Sequence, residues 1–201
     1  MKHFKLRKDL SKEFFGKTLY RIEATANSKW AKKGDLGGYI EKESNLSGEA
    51  WVSDNALVYD NARVFGNAQV YGEARVYDDA RVYGEAQVHG EAWISGNARV
   101  SGEARVYGEA QVYGNARVFG NAKVFGEAQV FGEVQVTKTP KIITGLKHNI
   151  TLTETHIFTG CEDHTIEHWK KEIKNIGKKH NYTDKDIKQV IGLLKLLLRK
   201  L

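Results

Sequence analysis

Ala80-Arg-Val-Tyr-Gly-Glu-Ala86-Gln-Val-His-Gly-Glu-Ala92-Trp-Ile-Ser-Gly-Asn97 states one phrase three times: alanine, a variable residue, Val or Ile, a second variable residue, glycine, then Glu or Asn. The phrase persists in both directions. Alanine recurs at every sixth position from Ala50 to Ala128, fourteen times without a break, and Val or Ile stands two residues after each. Val134-Gln-Val136 and Pro140-Lys-Ile142 extend the frame less perfectly, as do Gly38-Tyr39-Ile40 and Ser44-Asn45-Leu46 upstream, so regular hexads span 38–143. Apolar residues two apart share one face of a strand, while their neighbours point the other way. An amphipathic helix would need spacings of three and four instead. Glycine or aspartate followed by Glu, Asp or Asn then suits a tight corner. So short a strand buries nothing alone, and successive coils must stack.

This pattern resembles the left-handed β-helix proteins of the hexapeptide-repeat superfamily. The resemblance implies a triangular prism with three hexads, eighteen residues, per coil, wound left-handed against the usual crossover rule. More narrowly, Gly16-Lys-Thr-Leu-Tyr-Arg-Ile-Glu-Ala24 and Gly34-Asp-Leu-Gly-Gly-Tyr-Ile-Glu-Lys42 are similar to the head of hexapeptide-repeat proteins common in phage and prophage genomes. Gly160-Cys-Glu-Asp-His-Thr-Ile-Glu-His-Trp169 resembles the segment that follows their helix. The expected fold is therefore mostly β, a left-handed parallel β-helix with a C-terminal α-helical hairpin. Residues 1–37 are expected as an N-terminal cap, 38–160 as the β-helix with closing strands at 144–160, and 161–201 as the hairpin.

With eighteen residues per coil, positions eighteen apart stack at about 4.8 Å. One face then carries an arginine column, Arg63, Arg81, Arg99 and Arg117, beside Phe65, Tyr83, Ser101 and Phe119. A second face carries Tyr59, Tyr77, Ser95, Tyr113 and Phe131, and the third carries Tyr71, His89, Tyr107 and Phe125. Glu73, Glu91, Glu109 and Glu127 stack at one corner, and Asn61, Asp79, Asn97 and Asn115 at another. Because stacked cations repel, a lattice of surface ion pairs such as Asp79 with Arg81 is expected to neutralise them. Two roles stand for these columns. Either they stabilise the prism and its subunit contacts, or the arginines with Phe65, Tyr83 and Phe119 bind an anionic ligand, a nucleotide or nucleic acid. A host protein is the other partner to weigh, and for a phage product this would serve counter-defence.

The superfamily's acyltransferases use a histidine base near a subunit boundary to deprotonate an acceptor hydroxyl or amine. Inside the repeat only His89 is available, so acetyl-CoA-dependent O- or N-acyl transfer by His89 is the alternative. No loop interrupts 38–143, and the closing Gly-x-Pro-Ala-Lys of those enzymes is missing. No acid is evidently placed to orient His89, and a zinc carbonic anhydrase would need three histidines. The sequence favours a non-enzymatic binding protein without a cofactor.

Beyond Ile142 the register slips, and Ile150, Leu152 and Ile157 suggest one or two more strands closing the prism. Ile166, Trp169, Ile173 and Ile176 then lie on one face of a helix. Asn181-Tyr-Thr ends it, and Thr183-Asp-Lys-Asp186 resembles a capping box with Asp for Glu. Ile187, Val190, Ile191, Leu194, Leu197, Leu198 and Leu201 form the apolar stripe of a second helix. Cys161, His164 and His168 stand as C-x2-H-x3-H, with His156 nearby, and thiolate with imidazole suits zinc. The alternative is a helix entry with a buried cysteine and a capping histidine.

The net charge of +6 favours anions as partners. One cysteine excludes an intramolecular disulfide, and no apolar run reaches the eighteen residues of a membrane span. The charged N-terminal segment lacks a signal-peptide core. A cytoplasmic protein is expected, in the host cytoplasm if phage-encoded, without membrane contact. The superfamily's habit and the exposed aromatic columns suggest a homotrimer.

Overall fold

The computed structural model describes residues 3–198. Leu201 of the expected apolar stripe and the outermost ends of the cap and hairpin lie outside the described residues. The chain begins with two antiparallel strands, β1 (Phe4–Phe14) and β2 (Lys17–Ala24), and β3 (Leu36–Ile40) pairs antiparallel with β2. Phe15 and Gly16 make the tight turn between β1 and β2, both with positive φ. Fifteen two-residue strands, β4–β18, follow from Trp51–Val52 to Gln135–Val136. They stack in parallel into three sheets, and each strand from β4 to β15 pairs with the one eighteen residues on, as Arg81↔Arg99 and Val82↔Val100 do. The result is a three-faced β-solenoid.

The interior follows from the hexad. Every alanine from Ala50 to Ala128 and every Val or Ile two residues later is 0% exposed, so the core is a continuous column of small side chains. Between faces the chain turns through a residue with positive φ. Gly102 takes φ +68°, and an added Cβ there would meet the Gly120 nitrogen at 3.0 Å. Asp78 takes the same position at φ 56°, where its Oδ2 accepts from the Gly96 amide at 3.0 Å. Aspartate tolerates the left-handed region through such local bonding.

The solenoid stops where this corner fails. Position 138 continues the six-residue series, but it holds Lys138, outside the left-handed region. Pro140 then occupies the alanine position. Instead of continuing the hexads to 143, β19 (Lys141–Ile143) leaves the prism. It forms an antiparallel sheet with β20 (Ile150–Leu152), β21 (His156–Thr159) and β22 (Glu162–Thr165). The segment 144–160 supplies β20 and β21 of this separate sheet, and 162–165 is strand rather than helix.

This sheet caps the open end with side-chain acceptors. Thr139 Oγ1 receives the Lys123 amide, Thr151 Oγ1 the Gln129 amide, and Glu154 Oε1 the amides of Thr137 and Lys138. Each bond satisfies an edge group that would otherwise invite another strand. Phe158 seals the apolar core, packing on Phe131 at 5.1 Å. Burial pushes the Glu154 carboxyl up, but the Thr137 hydroxyl and the backbone amides outweigh it and hold it below its usual 4.5. A lowered folded value contributes stability that is present above the unfolded value and lost as pH falls through the folded one. Glu154→Gln is expected to cost about 1 kcal/mol at pH 7, the difference between a charged and a neutral acceptor. In thermal melts, the gap between variant and wild type should close as pH drops below 4.5.

The helices α1 (Ile166–Lys179) and α2 (Asp184–Leu198) pack on the outer side of this sheet. Thr165, not a histidine, caps α1, its hydroxyl accepting from the His168 amide at 3.2 Å. Trp169 is buried and donates from Nε1 to the Ile157 carbonyl at 2.9 Å. Thr183 and Asp186 form the expected reciprocal cap of α2, at 3.2 Å and 3.0 Å. Ile187, Val190 and Leu194 turn inward. Among the described residues, no helix is long and apolar enough to cross a membrane.

Candidate functional site

Strand pairing places Arg63, Arg81, Arg99 and Arg117 side by side on one face, with Gln135 ending the column. Arg63, Arg81 and Arg117 are exposed and Arg99 is half-buried. Among the described residues none of the four makes an ion pair, so the expected lattice with the corner acids does not form. Glu73 and Glu85 bond instead to the neighbouring rung of their own corner column, about 4.8 Å away. Glu73 accepts from Asn55 at 2.7 Å and Glu85 accepts from Asn67, while Glu127 accepts from Asn149, just before β20, at 2.5 Å. Neighbouring guanidiniums then repel by roughly 1 kcal/mol per pair even in water.

Beside the arginines, Phe65 and Tyr83 stack at 4.9 Å with a 4° interplanar angle, and Arg63 lies 5.8 Å from the Phe65 centroid. Phe119 is not part of that stack, because Ser101 stands between it and Tyr83. The two rings are separated by two rungs, about 9.6 Å. Ser95 opens a similar gap between Tyr77 and Tyr113 on the second face, where Tyr59 stacks on Tyr77 at 5.2 Å and Tyr113 on Phe131 at 4.8 Å.

His89 lies in an unbroken stack on the third face, 4.6 Å from Tyr71 and 5.0 Å from Tyr107. Burial first, and then the Arg105 charge, lowers its pKa. Both ring faces are covered, and no described residue hydrogen-bonds its nitrogens.

The C-terminal segment gathers different residues from those its spacing suggests. The His164 and His168 rings lie 4.3 Å apart, but Cys161 does not join them and is exposed rather than buried. Its neighbours are Glu162 and His180, with thiol sulfur, carboxylate oxygen and ring nitrogen all within 4.8 Å of one another. Glu162 is only 8% exposed. His180 Nε2 lies 2.6 Å from its Oε1, His164 Nε2 lies 2.6 Å from its Oε2, and Lys179 donates to Oε1 at 3.1 Å. His180, opposed by burial and helped by Lys179 and His164, holds the Glu162 carboxyl down to about 2. The three residues line a cavity of about 190 Å³ between the sheet and α1, walled by Ile150, Trp169 and Ile176. Sequence spacing missed His180 because it follows the end of α1, which packs back along β21 and β22.

Residues 58–72, 74–90, 92–108 and 110–126 match the family model of the YdcK β-solenoid repeat. The last three matches start eighteen residues apart, the same interval that separates paired strands. No curated protein matches the chain.

Proposed function

We propose that the arginine face binds the phosphates of a nucleotide-type ligand, making this β-solenoid a binding protein rather than an enzyme. The carrying observation is the register of four guanidiniums with no ion-pair partner among the described residues. A cation column that repels itself weakens the fold locally. Phosphate relieves that repulsion and accepts the planar fork of each guanidinium. The Ser101 gap suits the base: a flat ring placed midway between Tyr83 and Phe119 would lie about 4.8 Å from each, within the normal stacking range. Arg99 occupies the same rung, so a phosphate beside that base would fall on the column.

The shared chemistry is a phosphate next to a planar base, and it comes from free nucleotides or from single-stranded nucleic acid. Fluorescence anisotropy with a labelled single-stranded oligonucleotide, competed with a mononucleotide, separates the two sources. Binding that weakens steeply with salt is expected, since each neutralised phosphate releases counterions. Tighter binding of the oligonucleotide would identify nucleic acid, and equal binding of the mononucleotide would identify a nucleotide. Failure of both to bind at low salt would overturn the proposal.

A further inference from the structure

We infer that Cys161, Glu162 and His180 form a zinc site whose remaining coordination position opens on the cavity beneath α1. The three side chains supply sulfur, oxygen and nitrogen, a donor set that Zn²⁺ accepts in tetrahedral geometry. Their ligand atoms already lie within 4.8 Å of one another. Ligands about 2.0–2.3 Å from zinc sit about 3.5 Å apart, so small side-chain adjustments complete the site. Glu162 is a buried carboxylate that already draws Lys179, His164 and His180 around it, an environment built to hold it ionised as a ligand must be. A divalent ion between Cys161, His180 and Oε1 would take over the part that Lys179 and His180 now play there.

His164 then takes a supporting part. It lies 2.6 Å from Oε2, the other carboxylate oxygen, and would fix the orientation of Glu162 as outer partners of metal ligands do. Three protein ligands leave one position for water or for a ligand head group. All three line the cavity of about 190 Å³ with Ile150, Trp169 and Ile176, so the matching ligand is a small molecule with an apolar body and a metal-binding head. This inference is independent of the arginine face.

The test is Zn²⁺ titration of the full chain by calorimetry, with Co²⁺ substitution as a second readout. One Zn²⁺ per chain is expected, together with a thiolate-to-cobalt charge-transfer band. Cys161→Ser, at an exposed position that leaves the fold intact, should weaken Zn²⁺ binding at least about 10-fold and abolish the band. His180→Ala should weaken binding by a similar factor. His168→Ala should leave affinity and band unchanged, because His168 lies outside the cluster. Absence of Zn²⁺ binding would overturn the inference. So would affinity unchanged by Cys161→Ser and His180→Ala, or affinity lost in His168→Ala.

Discussion

Val100→Asp is expected to leave no folded population at room temperature, measured as loss of the cooperative thermal transition and of the β-type circular dichroism signal. Val100 is 0% exposed and sits in the middle coil, paired with Val82 below and Val118 above. It belongs to the apolar core, in which residues 62–130 contribute only alanine, valine and isoleucine side chains that offer an aspartate no donor. An unpaired buried carboxylate costs several kcal/mol even after relaxation, and the lost valine burial adds about 1.5–3 kcal/mol. A typical domain has only about 5–15 kcal/mol to lose. Coils have no other neighbours to lean on, so a failed rung separates the two halves of the stack. A cooperative melt within about 5 °C of wild type would contradict this account of the core.

The triple variant Arg81→Gln, Arg99→Gln, Arg117→Gln should move binding and stability in opposite directions. Glutamine already ends this column at Gln135 and fits the outward position. Removing three charges relieves like-charge repulsion, so the melting temperature should hold or rise slightly. Binding of a single-stranded oligonucleotide should weaken by about 100-fold, from three charged contacts worth about 1 kcal/mol each after solvent screening. The salt slope of log K should become shallower by about 2. Unchanged affinity in a well-folded triple variant would place the ligand elsewhere. A column retained for packing alone would show the stability change without the loss of binding.

What the sequence makes legible here is whatever depends on neighbours six or eighteen residues away. Ala86 and Val88 announce their burial because every coil repeats them, and Arg81 and Arg99 announce their adjacency because the coil has a fixed length. Legibility ends where contact is set by relative reach or by a new packing direction. The pairing of Asp79 with Arg81 reads as natural in sequence, yet it does not form, and Glu73 and Glu85 bond along their own corner columns. Lys138 ends the turn series without any loss of apolar character downstream, so Ile142 reads as a further rung when it belongs to another sheet. Cys161, His164 and His168 share a familiar spacing, but β22 carries His164 to the Oε2 side of Glu162, while α1 returns His180 to its Oε1. Nothing local to residue 161 encodes that return.

The inside and the outside of the solenoid keep different clocks. Alanine and valine repeat every six residues on all three faces, whereas the arginine column returns only every eighteen. A duplicated hexad, such as a second copy of Ala98–Glu103, would meet the same interior at every position and should still fold. Everything beyond it would nevertheless turn by one face, carrying Arg117 off its column and onto the face of Lys123. A duplicated coil would instead lengthen the column by one arginine in phase. Circular dichroism should register both insertions as folded, while oligonucleotide binding should weaken with the hexad, which puts Gln111 in the place of Arg117, and not with the whole coil. Length can therefore drift in sixes as far as folding is concerned, while the arginine column keeps its full register only in whole coils.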